Sequence, residues 1–264
     1  MQVDTGIGTV HVEVVGAGPA AVLWHSLFVD SRQWDRVRAT LAAHRTLVLV
    51  DGPGHGRGGL PPDRFTFDDC ADAAALVLGT LGVGQDVDWV GNAWGGHVGY
   101  AYASRYPARS LVTIGAPPTP LPPAERRRIA LLTAAYRAVG PRPLTGAVVA
   151  ALLGPDADAH SVAMVRDTFR ANDRTGMQRV MRAMMLHRPD LTERLHRISA
   201  PVLLVAGDRD PMWTLARAAA TAAGLPHVRT VEIANAGHLP PLEMPAPTAA
   251  EILSFWRQTS PVTS

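Results

Sequence analysis

The sequence predicts an α/β protein: a doubly wound, mostly parallel sheet carrying an inserted helical segment. Three observations lead there. Short apolar runs alternate with longer stretches of helical period. Those runs lack polar alternation, as strands covered on both faces require. One block, from about 117 to 195, shows helical patterns only.

Taken in order, strands are expected at residues 21–24, 46–50, 87–90, 111–114, 202–205 and 228–233. Helices are expected between them at 31–43, 67–81, 95–106, 215–223 and 247–258. The helix-only block opens on a stiff connector, with prolines at 117, 118, 120, 122 and 123. The chain should therefore divide into a core of residues 1–116 and 196–264 and a helical cap of 117–195. That cap should fold over the C-terminal edge of the sheet, where open α/β sheets bind ligands. Met177, Met181, Met184 and Met185 fall mostly on one helical face. They suit either core packing or a pliable roof over an apolar pocket.

Composition excludes several classes of function. Hydrophobic residues make up 47% of the 264, enough for a large core, and the net charge is only +2. All 25 basic residues are arginine, which rules out a lysine Schiff base and a P-loop lysine. Arg126-Arg127-Arg128 has no interleaved aromatic and reads as a solvated helix face, so no nucleic acid partner is expected. Cys70 stands alone, reads as a small buried residue and excludes an internal disulfide. No basic, apolar leader and no run of 18 apolar residues occurs, so we expect a cytoplasmic protein with no membrane partner. The ten histidines include no His-Glu-x-x-His arrangement, and no metal or cofactor is expected. Residues 54–59 match the dinucleotide glycine pattern by letter, but Pro61-Pro62 follows and no helix can open there. Asp68-Asp69 reads as a helix cap. Oligomeric state is not legible.

The strongest motif is Gly91-Asn92-Ala93-Trp94-Gly95-Gly96, between a strand and a helix. A small-x-nucleophile-x-small pattern forms a tight strand-to-helix turn that pushes its central residue outward at the helix N-terminus. That residue is Ala93, which carries no nucleophilic atom. The turn tip is expected to face solvent, and no neighbouring serine or cysteine can replace it by a shift of frame.

Over nearly its full length the chain resembles the α/β-hydrolase family. The elbow resembles the Gly-Asn-Ser-x-Gly-Gly turn of its carbon–carbon bond hydrolases and related esterases. His25-Ser26-Leu27-Phe28 resembles the His-Gly-x loop, with Ser26 for glycine. Residues 51–58 resemble the Asp-x-Pro-Gly-x-Gly-x-Ser loop, with Gly58 for serine. Gly207-Asp208-Arg209-Asp210 resembles the Gly-x-x-Asp acid loop, and Ala236-Gly237-His238 the Gly-His loop. The resemblance implies His238 as general base and Asp210 as its orienting acid, with Asp208 as a turn residue. An imidazole is easily poised near neutral pH, and a buried carboxylate fixes its tautomer. The oxyanion hole would use the backbone N–H groups of Leu27 and Trp94. Ser26, Phe28, Trp213, Met181 and Met185 are candidates for substrate binding, with Trp94 a further candidate for the pocket wall.

The expected function is thus a small-molecule hydrolase acting on a hydrophobic ester, lactone or C–C bond by a nucleophile–His–Asp mechanism. Ala93 occupies the nucleophile position, either removed from a serine hydrolase or naturally lost. The alternative is a non-hydrolytic binding protein, or a His–Asp general-base enzyme (a lyase or a cofactor-free oxygenase), on the same fold.

Overall fold

The computed structural model describes residues 1–259. Its strands are β1 (Gln2–Thr5), β2 (Gly8–Val15), β3 (Ala20–Trp24), β4 (Thr46–Asp51), β5 (Val87–Asn92), β6 (Ala108–Ile114), β7 (Val202–Gly207) and β8 (Val228–Ile233). They form one sheet in the order β1-β2-β4-β3-β5-β6-β7-β8, antiparallel from β1 to β4 and parallel from β4 to β8. The six expected strands are all present, some longer than their apolar runs. The β1–β2 hairpin was not anticipated. Its strands are partly exposed and polar at alternate positions, so no continuous apolar run marks them.

The two faces of the sheet bury separate cores, and β3 shows how. Val22 and Trp24 point into one core, Ala21 and Leu23 into the other, as the period of two dictates. Each such fully buried aliphatic side chain contributes roughly 1.5–3 kcal/mol. On one face α1 (Asp35–Ala42) packs against α10 (Pro245–Thr259) through Val37, Leu41, Ile252 and Trp256. The other face takes α2 (Phe67–Thr80), α3 (Trp94–Ala103) and α8 (Leu215–Ala222). The expected helix at 31–43 begins as a 3-10 turn, Ser31–Trp34, because the Asp30 carboxylate caps the Arg32 amide. Asp69 closes a capping box with Thr66 at the start of α2, and Cys70 is buried.

Residues 117–195 hold only helices: α4 (Pro123–Val139), α5 (Thr145–Leu152), α6 (Ala159–Ala171), α7 (Arg174–Val180) and short irregular turns. The methionine-rich Met181–Leu186 is a π-helical turn, which alters the face that a regular helix would present. Arg126, Arg127 and Arg128 are exposed on α4. The segment touches the loops at the C-terminal ends of the strands. Asn172 Nδ2 donates to Phe28 O, Arg179 Nη1 to Pro61 O, and the His238 amide to Leu152 O. Among the described residues no helix is long and apolar enough to cross a membrane, and no cluster of His, Cys, Asp or Glu can hold a metal ion.

Candidate active site

Beyond the C-terminal ends of β3 and β5, chain connections depart in opposite directions, since β4 lies on one side of β3 and β5 on the other. Crevices form at such switch points. The elbow follows β5 and the 25–28 loop follows β3, so the two meet there.

The turn at Ala93 is held by close approach. A Cβ on Gly91 would lie 2.1 Å from the Gly95 backbone, and one on Gly95 would lie 2.0 Å from Trp24 O. Ala93 adopts φ 47°, ψ −102°, a conformation that L side chains rarely take. Its amide donates to Ile114 O at 2.7 Å, and the Gly95 amide donates to His25 O. Contrary to the expectation of a solvent-facing tip, Ala93 is only 8% exposed.

The loop carrying His238 follows β8. A Cβ on Gly207 would lie 2.2 Å from Gly237 O, and the Arg209 amide donates to Ala236 O, so the loops carrying Asp210 and His238 are pressed together. His238 Nδ1–H donates to Asp210 Oδ2 at 2.7 Å, and both side chains are buried. The Met212 amide donates to Asp210 Oδ1. Burial penalises both charged forms, yet each group favours the other's. The Asp210 carboxyl is held below its usual range and the His238 imidazolium above it. His238 Nε2 has no hydrogen-bond partner among the described residues, nor have the Leu27 and Trp94 amides. Asp208 is exposed.

A cleft of about 440 Å³ reaches His238, lined by Val149, Leu153, Gly154, Pro211 and Gly237 among others. A second groove, about 640 Å³, lies between α4 and α7, away from this chemistry. The first cleft is not lined by Ser26, Phe28, Trp213, Met181 or Met185. Met181 and Trp213 are packed in the main core, Phe28 stands edge-on to Phe169, and Met185 is half-buried. The Trp94 indole faces inward, among Trp24, His25 and His55. Ser26 Oγ is buried with no partner among the described residues.

Several residues that carry the geometry were missed in the sequence. Gln33 Oε1 accepts from the Ser26 amide, and Gln33 Nε2 donates to Asn92 Oδ1. Asn92 Nδ2 donates to His238 O at 3.0 Å. One buried amide chain thus ties the 25–28 loop, the elbow and the His238 loop together. Gly115, at φ 63°, lets the His238 ring approach, since a Cβ there would sit 2.8 Å from Cε1. Glu243 accepts from the amides of Gly154, Gly237 and Leu239. Arg188 has a buried Nε without a partner among the described residues, and burial brings its guanidinium down to about 10. None has a local signal except Glu243, which follows His238 by five positions.

Two buried histidines behind the site are locked neutral. His25 Nδ1–H donates to Ser26 O and its Nε2 accepts from the Gly52 amide. His55 Nε2 accepts from the Phe28 amide. An imidazolium can accept neither bond, and burial lowers both pKa values. His97, also buried, donates to Pro117 O and is brought down to about 3, mainly by burial. The unfolded chain takes up these protons near the ordinary 6.5 and the native chain does not, so stability is full above that value and lost below it. His97 alone should remove about 2–3 kcal/mol between neutral pH and about pH 4.5. His238, whose pKa is raised, works the other way: its contribution is present at low pH and lost as pH rises through its folded value. Urea unfolding across that range should show stability falling steeply with acid. A flat profile would contradict the neutral, buried assignment.

A family model described as the alpha/beta hydrolase family matches residues 21–251. The chain is 29% identical over 244 residues to a pimeloyl-(acyl-carrier protein) methyl ester esterase of Xanthomonas oryzae pv. oryzae, spanning 87% of this chain and 92% of that protein. Its structure is similar to an esterase from Thermogutta terrifontis, with TM-score 0.91, 22% identity and coverage of 98% and 99%. It is also similar to an enol-lactonase from Burkholderia xenovorans LB400, with TM-score 0.86, 23% identity and coverage of 97% and 100%. At such identities the structural likeness speaks for the fold.

Proposed function

Since this chain belongs to the α/β-hydrolase family, matched over residues 21–251, we propose that it is a small-molecule hydrolase that keeps its base and lacks its side-chain nucleophile. The observation that carries this is the His238–Asp210 hydrogen bond of 2.7 Å, buried beside a cleft, with Nε2 unpartnered among the described residues. The strained turn at Ala93 supports it, because a left-handed φ at a non-glycine residue is costly and persists only where its surroundings enforce it. Residues 117–195 act as the cap, and the apolar lining of the cleft suits a hydrophobic ester or lactone. The methyl ester esterase among the relatives supports an ester.

The chemistry left to such a site is direct attack by water. His238 Nε2 takes a proton from the water as its oxygen adds to the carbonyl carbon. The amides of Leu27 and Trp94 receive the oxyanion. Collapse expels the alkoxide, which takes the proton back from Nε2. Ala93 also favours a second reading, a non-hydrolytic binding protein, or a lyase or cofactor-free oxygenase that uses the His238–Asp210 pair as its base on this scaffold.

The unmodified chain should hydrolyse activated aryl esters only slowly. Oxyanion donors and binding without a nucleophile supply ~10³–10⁴-fold over water, and general-base help from His238 adds to that. Intact mass should show no acyl adduct, and His238→Ala should lower the rate to what the donors and binding supply alone. A burst with an acyl adduct, or an unchanged rate in His238→Ala, would place the chemistry elsewhere.

A further inference from the structure

Glu243 ends α9 (Pro240–Glu243), behind the base loop. Its two carboxylate oxygens accept from three backbone amides: Gly154 at 2.6 Å, Gly237 at 3.0 Å and Leu239 at 3.1 Å. Two of these flank His238. The third belongs to the turn after α5, whose Leu152 carbonyl accepts from the His238 amide at 3.0 Å. A Cβ on Gly237 would lie 2.4 Å from the Gly154 amide nitrogen, so the two strands of backbone are in direct contact. Leu153, Gly154, Gly237 and His238 all line the 440 Å³ cleft. The carboxylate therefore closes a clasp between a wall of the cleft and the residue that would act as base.

We infer that Glu243 is a positioning residue that clasps the Leu153-Gly154 turn to the Gly237–Leu239 loop, so that the cleft wall and the His238 imidazole move as one body. The chemistry favours a carboxylate in this role. Two oxygens offer about four acceptor sites in one plane, and hydrogen bonds to an ionised acceptor are roughly twice as strong as neutral ones. An amide side chain has one oxygen, and its NH₂ faces donors. Arg36 braces the same junction, donating from Nη1 to Leu242 O and to Asp158 Oδ2, the cap of α6. When α5 shifts to admit or release a ligand, the clasp carries the shift to His238 and to its bond with Asp210.

This rests on His238 being the base, so the readouts are chosen to be independent of turnover. In Glu243→Gln, which keeps the side-chain shape, NMR titration should show the raised His238 pKa falling toward its ordinary 6.5. The downfield Nδ1 proton shared with Asp210 should broaden or move upfield. In the unmodified protein the Gly154, Gly237 and Leu239 amides should exchange with solvent deuterium at one common opening equilibrium, and in Glu243→Gln each should exchange at least about tenfold faster. Should Glu243→Gln fold poorly, the common opening in the unmodified chain still decides the matter. A lower melting temperature with an unmoved His238 titration and unmoved Nδ1 proton would reduce Glu243 to a structural residue and overturn the inference. So would separate opening equilibria for Gly154 and Gly237. Loss of these signatures with turnover absent in every variant would count against the proposed hydrolysis and leave the clasp standing.

Discussion

Ala93→Ser should turn this chain into a fast esterase, with hydrolysis of activated aryl esters rising by about 10³–10⁶-fold over the unmodified protein. The proposed site supplies the parts that make an alcohol nucleophilic. His238 is oriented by Asp210 at 2.7 Å, its Nε2 is unpartnered among the described residues, and Asn92 ties its backbone to the elbow. The backbone at position 93 already holds φ 47°, so the substitution adds one oxygen without asking for a new conformation. Because position 93 is only 8% exposed, that oxygen enters a partly desolvated site and gains from a hydrogen bond to Nε2. The cost of leaving it unpaired would be about 1–3 kcal/mol. Stability should thus be nearly unchanged, and a progress curve should show a burst equal to the enzyme concentration. A folded variant with no burst and no gain in rate would mean that the elbow and base no longer align.

Asp210→Asn, made in the Ala93→Ser background, should reverse most of that gain, by up to about 10⁴-fold in kcat. Asp210 accepts the Nδ1 proton of His238 and a second bond from the Met212 amide. Asparagine can turn its NH₂ toward Nδ1, which then favours the wrong tautomer and leaves Nε2 protonated and unable to act as a base. It also removes the negative charge that offsets burial of the imidazolium. KM should move little, since Asp210 is absent from the cleft lining. A loss confined to KM would contradict the assigned role, as would equal rates in the two variants.

What the sequence showed and what it hid divide along one physical line. Strands β3 to β8, the elbow, and the Asp210 and His238 loops were legible because their signals are local. Buried strands read as apolar runs, and Gly91 and Gly95 announce a close approach that the backbone contacts bear out. The supporting framework was not legible, because its contacts join distant residues. Gln33 reaches Asn92 across 59 positions, Gly154 reaches Glu243 across 89, and Asn92 reaches His238 across 146. No periodicity records such pairs. The β1–β2 hairpin escaped because half-exposed strands mix polar and apolar residues. Of the two readings the methionine spacing offered, core packing holds: Met177, Met181 and Met184 lie in the main core and Met185 packs against it, although Met181–Leu186 winds as a π-helical turn. The inward position of the Trp94 indole depends on a neighbour outside its own helix, Trp24, 5.5 Å away edge to face.

The measurement that bears most directly on the retained base is covalent labelling by a fluorophosphonate, read by intact mass on three proteins side by side: the unmodified chain, Ala93→Ser, and Ala93→Ser with His238→Ala. The reagent needs an activated hydroxyl beside oxyanion donors and needs no knowledge of the substrate. One phosphonyl group per chain, at position 93, is expected in Ala93→Ser. The unmodified chain should stay unlabelled, and the double variant should label more slowly by several orders of magnitude. An Ala93→Ser protein that is folded yet remains unlabelled, or one that labels equally well without His238, would contradict a live His238–Asp210 base aimed at an elbow that lacks only its nucleophile.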